Sequence, residues 1–408
     1  MLRWIIFVAI YGILGFYALQ AIKTASRFPW VHYTFIVVSL LVVGNFLYQF
    51  TGDDQGRVLS RPKSYAFGFL LATLSFYLIT IIFLFGEDIF RLFTGLYQKI
   101  AGDQKEFGIP ARRRFLSVLG LGIAAMPFGA LLYGMYKGKY NYKVLSYSLE
   151  FDDLPDAFHG YKITQISDIH SGSLDDAEKV AYGIDLINEQ QSDLILFTGD
   201  FVNNQTIELV PWASTFARLK AKDGLYSVLG NHDYGDYIGW DSEEEKAKNL
   251  KDLKALQREI GFDLILDSHR YIEKDGERIA LLGVENWGRG GFKKAGDLEK
   301  AKAGISKDDF KILMSHDPSH WEDVVIHDDY HFHLTLSGHT HGMQFGVEIP
   351  GWIKWSPVKW RYTYWAGIYK EMGQYINVNR GFGFLGYPGR VGIWPEITVI
   401  TLKKKGLT

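Results

Sequence analysis

Four long apolar runs, each close to the length that crosses a bilayer, occupy the first third of the chain. They are residues 4–22, 30–50, 65–85 and 115–136. A helix needs about 20 apolar residues to span the hydrocarbon core, where an unpaired backbone group finds no partner. Trp and Tyr lie near the ends of the runs, as they do at membrane interfaces. The sequence predicts about four spans in a transmembrane helical region over 1–140, a linker over 141–160 and a globular domain over 161–408.

Basic residues between the third and fourth runs predict the orientation of these spans. They are Arg91, Lys99, Lys105, Arg112, Arg113 and Arg114. The positive-inside rule places this cluster in the cytoplasm, so four spans put the globular domain outside it. If the fourth run does not cross, the domain is cytoplasmic instead. The three consecutive arginines also resemble a twin-arginine export signal; a basic anchor for the fourth helix is the alternative.

Five short polar motifs follow one another in the globular domain. They are Asp168-Ile169-His170, Gly199-Asp200, Gly230-Asn231-His232-Asp233, Ser315-His316-Asp317 and Gly338-His339-Thr340-His341. Each follows a short apolar run, which predicts a buried strand ending in a turn. These runs are residues 163–167, 194–198, 225–229, 312–314 and 333–337. Because the carboxyl ends of adjacent strands meet at one edge of a sheet, we expect the motifs to form one site.

The chemistry of the motifs indicates a metal centre. Carboxylate, imidazole and amide groups bind first-row divalent metals, and the motifs offer enough of them for two ions. A pair of cations activates water for attack on phosphorus and neutralises charge on the phosphoryl oxygens. The motifs therefore predict a hydrolase of phosphate esters.

The ordered motif set resembles that of the calcineurin-like metallophosphoesterase superfamily. Gly338 to Gln344 is similar to its membrane-associated or exported bacterial phosphodiesterases, although Met343 stands where that branch usually has glycine. Residues 379–383, 388–390 and 394–397 are similar to the same branch. The resemblance implies an α/β (α+β) fold, a four-layer α-β-β-α sandwich of two sheets flanked by helices.

The resemblance also implies a role for each motif residue. The first metal would be held by Asp168, His170 and His341. The second would be held by Asn231, His316 and His339, and Asp200 would bridge the two. His232 would lie near the leaving group, and Asp233 would orient it. The implied cofactors are two divalent ions, Mn, Fe, Zn or Co.

Two arginines near the C-terminus are further predicted site residues. Arg380 and Arg390 each adjoin a glycine, which allows close backbone approach to a substrate phosphate. A solvated loop charge is the alternative for both. The histidines outside the motifs, between residues 269 and 333, are interpreted as ordinary polar or strand residues.

Residues 351–369 combine aromatic and basic side chains in an unusual density. Such mixtures favour a membrane interface, so this segment is a candidate lip that brings a lipid-like phosphoester to the metals. A packed surface loop with buried aromatics is the alternative.

The leading prediction is a membrane-anchored phosphohydrolase, a phosphodiesterase acting on a lipid or envelope phosphoester outside the cytoplasm of a bacterium, in its inner membrane. The expected partners are this substrate, which could be lipid-linked, and membrane lipids. One alternative, from the resemblance, is a UDP-2,3-diacylglucosamine pyrophosphate hydrolase with a cytoplasmic active site. Another is a catalytically silent sensor or scaffold with a structural metal site. A net charge of −2 gives no reason to expect nucleic-acid binding.

Overall fold

The computed structural model describes residues 1–52, 58–101, 110–349 and 351–407. The chain divides into two compact units. The first, here the helical unit, takes in Met1–Asp54 and Ser60–Tyr136. The second, here the sheet unit, is built mainly from Lys137–Thr408. Lys105, one of the predicted cytoplasmic residues, lies outside the described residues.

Four helices make up most of the described residues of the helical unit. They are α1 (Leu2–Ala25), α2 (Pro29–Phe50), α3 (Arg61–Ala101) and α4 (Pro110–Tyr136). All four are long and apolar enough to cross a membrane. Large apolar side chains such as Leu40 and Leu41 are exposed on them. Exposed apolar side chains carry no hydrophobic cost in the hydrocarbon core of a bilayer, because that region contains no water.

Helix α3 extends well beyond the run that predicted it. Its 41 residues make it roughly 60 Å long at 1.5 Å per residue, about twice the thickness of the hydrocarbon core. The continuation carries Glu87 and Asp88, which bind Arg112 at 2.9 Å and Arg113 at 3.1 Å on α4. These two arginines therefore join two helices, which favours the basic anchor over an export signal.

Fourteen strands belong to the sheet unit's described residues. They are β1 (Lys143–Phe151), β2 (Lys162–Ile166), β3 (Leu194–Phe197), β4 (Leu225–Ser227), β5 (Phe262–Leu264), β6 (Ser268–Lys274), β7 (Glu277–Gly283), β8 (Lys311–Met314), β9 (Leu334–Ser337), β10 (Val347–Ile349), β11 (Ile353–Trp355), β12 (Gly367–Glu371), β13 (Gln374–Val378) and β14 (Glu396–Lys404). Two six-stranded sheets have the orders β1-β14-β2-β3-β4-β5 and β12-β13-β9-β8-β7-β6. Both sheets mix parallel and antiparallel pairs. Strands β10 and β11 form a separate hairpin.

The two sheets pack face to face over an apolar core, to which β2, β3, β7 and β9 contribute fully buried side chains. Helices α5 (Ala177–Glu189), α6 (Ala213–Phe216) and α7 (Glu243–Ile260) pack on the outer face of the first sheet. Helices α8 (Leu298–Ala301) and α9 (Ser319–Asp323) lie against the second. This arrangement confirms the predicted four-layer α-β-β-α sandwich.

Residues 141–160, predicted as a linker, lie within the sheet unit and include strand β1. Strand β1 pairs in parallel with β14 along its whole length, from Lys143↔Glu396 to Phe151↔Lys404. Lys139, immediately before it, is buried and binds Asp175 through Nζ at 2.6 and 2.8 Å. As an edge strand with one face exposed, β1 lacks the continuous apolar run that marks a buried strand.

Candidate metal centre

The five strands predicted from apolar runs are all present, and each ends at its motif. Strands β2, β3 and β4 of the first sheet lead to Asp168, Asp200 and Asn231. Strands β8 and β9 of the second sheet lead to His316 and His339. The site therefore draws on two sheets, not on one sheet edge as expected. It forms because the packed sheets bring these strand ends together.

A first cluster joins Asp168, His170 and His341, whose ligand atoms lie within 4.8 Å of one another. The Nε2 atoms of the two histidines are 3.0 Å apart, and Nε2 of His341 is 3.3 Å from Oδ1 of Asp168. Burial lowers the pKa of His170 to about 3 and that of His341 well below its usual value. Two neutral rings thus direct nitrogens at one point beside a carboxylate, a donor set that fits a divalent cation.

A second cluster is centred on Asp200. Its Oδ2 lies 3.1 Å from Nε2 of His316 and 3.6 Å from Nε2 of His170, so this carboxylate faces both groups of predicted ligands. Nδ1 of His339 is 2.8 Å from Oδ1 of Asn231. Burial opposes a charged ring at His316, but the carboxylates of Asp200 and Asp168 outweigh it and raise its pKa to about 10. The centre therefore stabilises positive charge, as a cation site must.

Nδ1 of His316 is fixed by a contact of 2.7 Å with the carbonyl oxygen of Thr198. Its Nε2 is buried without a well-aligned hydrogen bond, despite the nearby carboxylate. A backbone carbonyl that fixes one ring nitrogen and leaves the other for the ion is typical of metal-binding histidines. This orientation is a second indication that the donor set fits a metal.

The backbone at the predicted ligands is strained. Asp168, His170, Asp200, His339 and His341 have positive φ angles, between 48° and 70°. This conformation costs roughly 1–2 kcal/mol for a residue with a side chain and persists only where the surroundings hold it. A Cβ on Gly338 would collide with the side chains of Ser167 and Asp168, so the loops meet too closely for any larger residue.

His232 and Asp233 are both at the centre, but Asp233 does not orient His232. The Asp233 carboxylate accepts hydrogen bonds from the backbone N–H groups of Asp200, Phe201 and Gly230 at 2.8–2.9 Å. It therefore shapes the loop that carries Asp200. The ring of His232 is held instead by the carbonyl oxygen of Asn203, 2.8 Å from its Nδ1.

Arg380 and Arg390 are buried and have internal partners, so their placement argues against the substrate contacts expected of them. The Arg380 guanidinium binds Glu396, and Glu348 at 2.6 Å. The Arg390 guanidinium donates to the carbonyl oxygens of Gly383 and Arg380 and lies 3.2 Å from Nδ1 of His341. Arg390 thus supports a predicted ligand from behind.

A pocket of about 280 Å³ opens onto the cluster. Asp200, Asn231, His232, His339 and His341 line one side of it. The remaining walls are mainly apolar: Phe292, Met343, Pro357, Val358, Tyr362 and Leu385. Arg361 is the only arginine or lysine among the described residues that line it.

Sequence reasoning did not identify individual residues of this apolar wall. The aromatic and basic density of 351–369 pointed to the region, and Tyr362 lies in it, with its hydroxyl 2.8 Å from Nε2 of His339. Nothing in the sequence around Phe292 indicated a pocket. Of the histidines outside the motifs, His320 is buried against Trp287 and bound to Ser315 at 2.9 Å, an internal packing role.

Comparison with known proteins gives two family matches. Residues 2–139 match the family described as "Probable Calcineurin-like phosphoesterase, transmembrane domain", and residues 161–343 match the family "Calcineurin-like phosphoesterase". The chain is 30% identical over 302 residues to the metallophosphoesterase YkuE of Bacillus subtilis (strain 168), covering 72% of this chain and 98% of that one. It is 27% identical over 298 residues to a Danio rerio transmembrane protein with metallophosphoesterase domain, covering 71% and 63%.

The sandwich and its cluster of carboxylates and imidazoles define a metal-dependent hydrolase of phosphoric esters. The expected resemblance is confirmed, since both parts of the chain match. The chain belongs to the calcineurin-like metallophosphoesterase family, and it is a membrane protein with an N-terminal transmembrane domain.

Proposed function

We propose that this metallophosphoesterase is a two-metal phosphodiesterase that acts on a lipid or envelope phosphoester. The observation that carries the proposal is the shape of the site. Carboxylate and imidazole groups gather around Asp168 and Asp200, and the site opens into a pocket whose other walls are largely apolar. A substrate that places a phosphoester on the ligands would have apolar groups beside it.

The ligand assignments follow the two clusters. Asp168, His170 and His341 would hold one ion. Asn231, His316 and His339 would hold the other, with Asp200 between them. When bound, divalent ions such as Mn²⁺ supply Lewis-acid stabilisation of phosphoryl charge and lower the pKa of water in the site.

His232 is placed to handle the leaving-group proton. With its Nδ1–H donated to the carbonyl of Asn203, its Nε2 is free to exchange a proton. Burial lowers the pKa of His232, and an anionic substrate beside the ring favours the protonated form. That form would give the proton on Nε2 to the leaving oxygen. Arg361, exposed at the pocket wall, would contact the phosphoester from the opposite side.

For the side of the membrane, we infer an extracytoplasmic sheet unit in a bacterial inner membrane. Four spans place both ends of the helical unit on the same side of the membrane. The basic residues of α3 and of the start of α4 favour the cytoplasm for the opposite side, so the sheet unit would lie outside the cytoplasm. A C-terminal reporter that is active only outside the cytoplasm would support this orientation. A reporter active only in the cytoplasm would reject it and would favour the nucleotide-linked lipid as substrate.

The test of function is a substrate panel with the full chain in lipid nanodiscs and several divalent metals. It should include a chromogenic diester, the matching monoester, phospholipids and UDP-2,3-diacylglucosamine. We expect metal-dependent hydrolysis of the diester and of at least one phospholipid, lost in Asp200→Asn and after chelation. Asp223→Asn, a change outside the site, is the control. Turnover of the monoester alone, or of the nucleotide-linked lipid alone, would overturn the proposal.

A further inference from the structure

The hairpin of β10 and β11, with the residues that follow it, is the most apolar exposed part of the sheet unit. As many large apolar side chains are exposed on residues 345–360 as on all the rest of that unit's described residues. They are Phe345, Val347, Ile349, Trp352, Ile353 and Trp360. A soluble surface rarely concentrates apolar side chains in this way without a binding partner.

The register of the hairpin separates its two faces. Glu348 is paired with Lys354, and both turn toward the sheet unit: Glu348 binds Arg380, and Lys354 donates to the carbonyl oxygen of Ala366. Because side chains alternate along a strand, the residues on either side of this pair point the other way. The outer face is therefore apolar, with Ile349 opposite Ile353 across the two strands.

Trp352 lies at the tip of the hairpin. Its backbone N–H donates to the carbonyl oxygen of Ile349 at 3.0 Å, and Gly351 has a φ angle of 75° that favours glycine. The side chain of Trp352 is 78% exposed. Trp360, just past the hairpin, is 76% exposed. Tryptophan is enriched at membrane–water interfaces, so its place at the tip of an apolar hairpin is consistent with contact with a membrane.

The charges beside this apolar face are basic. Lys359 and Arg361 are exposed, whereas the one acid of the hairpin, Glu348, is neutralised by Arg380. A surface with apolar and aromatic residues among uncompensated cations is complementary to a bilayer with anionic headgroups.

Because the chain is a membrane protein, every molecule is close to a bilayer. The sheet unit begins at Lys137, one residue after α4 ends at Tyr136, and Gly138 is already packed against the backbone of Arg390. Among the described residues, only Lys137 lies between the end of α4 and Gly138. The membrane surface is therefore within reach of an exposed element in every molecule.

We propose that residues 345–360 form a docking surface that inserts into the headgroup region of an anionic bilayer and places the pocket mouth at that level. Pro357, Val358, Arg361 and Tyr362, in or directly after this segment, line the pocket. A lipid held at the interface would meet the apolar wall with its acyl chains and the ligand cluster with its phosphoester. This last step rests on the proposed function; the docking itself does not.

The absence of cysteine from the chain makes a direct test possible. Trp352→Cys carries an environment-sensitive fluorophore in the full-length protein, reconstituted in phosphatidylcholine vesicles with or without phosphatidylglycerol. Ile207→Cys is the matched control, since Ile207 is apolar and 68% exposed elsewhere on the sheet unit. We expect nitroxide-labelled lipids to quench the label at 352 at least about twofold more than the label at 207, and more strongly with phosphatidylglycerol.

Equal quenching at the two positions would overturn the proposal. So would a blue-shifted label at 352 that nitroxide lipids do not quench, because this result would mean that a second copy or another protein covers the face. Phospholipid hydrolysis in the same vesicles is measured separately. Hydrolysis without quenching would reject docking and leave the proposed function standing. Quenching without hydrolysis would support docking and reject phospholipid hydrolysis as the function.

Activity gives an independent readout. The double variant Trp352→Ser/Trp360→Ser should lower phospholipid turnover about tenfold, equivalent to about 1.4 kcal/mol of interfacial binding. Its turnover of a water-soluble diester should stay within about twofold, which also shows that the protein is folded. Met372→Ser, at an exposed turn elsewhere, should change neither. An equal loss on both substrates would contradict the docking role.

Discussion

Some buried polar groups of the helical unit are satisfied within their own helix, whereas those at the centre of the sheet unit come from distant parts of the chain. In α3, Thr73 and Thr80 donate to carbonyl oxygens four residues earlier in the same helix, so each is satisfied locally. In the sheet unit, Asp168, Asp200 and His316 come from distant parts of the chain and converge without neutralising one another completely. Hydrogen bonds within one helix suit a helix in lipid, where no water is present to pair a polar group. Carboxylates and imidazoles from distant segments form instead a site that can bind a cation. The chemistry therefore belongs to the sheet unit.

The largest expected effect tests this division directly. His316→Gln should lower turnover of a soluble diester by about 10³-fold or more, because a lost ligand removes several kcal/mol of metal stabilisation of the transition state. His320→Gln, four residues away and equally buried, should keep turnover within about threefold. Rates of purified full-length protein, with metal content measured by mass spectrometry, compare the two. Similar losses in both variants would mean that burial, not metal binding, explains the effect.

The next effect concerns where the sheet unit begins. Lys139→Met removes the cation that is paired with the Asp175 carboxylate in a largely buried site, which should lower the free energy of unfolding of the sheet unit by about 2–4 kcal/mol. Lys137→Met, two residues earlier and exposed, is the control. Thermal inactivation of diester hydrolysis reports the difference. If residues 137–142 were a flexible connection, the two variants would behave alike.

A smaller effect is expected from the residue behind His341. Arg390→Lys cannot keep all the guanidinium contacts that hold the loop around this ligand, so metal affinity should fall about 10- to 100-fold. Arg380→Lys, also buried but paired with carboxylates away from the ligands, should affect stability more than metal affinity. Titration of activity with Mn²⁺ measures both. Unchanged affinity in Arg390→Lys would remove it from the support of the metal centre.

The smallest effect is expected in the helical unit. Arg112→Lys/Arg113→Lys keeps both positive charges next to Glu87 and Asp88, so diester turnover should change less than about twofold and a C-terminal reporter should stay on the same side. An export signal depends on the arginine pair itself. A reporter that moves to the cytoplasm in this variant would show that the arginines serve export.

Much of the site was predictable because its information is local. Each ligand-bearing motif directly follows its own strand, and an apolar run closed by Gly or Asp marks the end of a buried strand without tertiary data. The residues that support the candidate ligands were harder to predict from the sequence. The resemblance implied that Asp233 orients His232, but Asp233 binds three backbone N–H groups of the loops instead. Arg380 and Arg390 were predicted to contact phosphate because each adjoins a glycine. The sequence does not show that both side chains are buried.

The sequence by itself determined the four apolar helices, the strands that precede the motifs and the types of ligand, since these depend on composition and short-range pattern. Only the tertiary structure decided that the candidate ligands come from two sheets, that β1 joins the sheet unit and that five candidate ligand residues adopt positive φ angles. It also decided which face of the β10–β11 hairpin is exposed. The physical reason is that these properties depend on packing between segments far apart in the chain, and a strained backbone is held only by such packing.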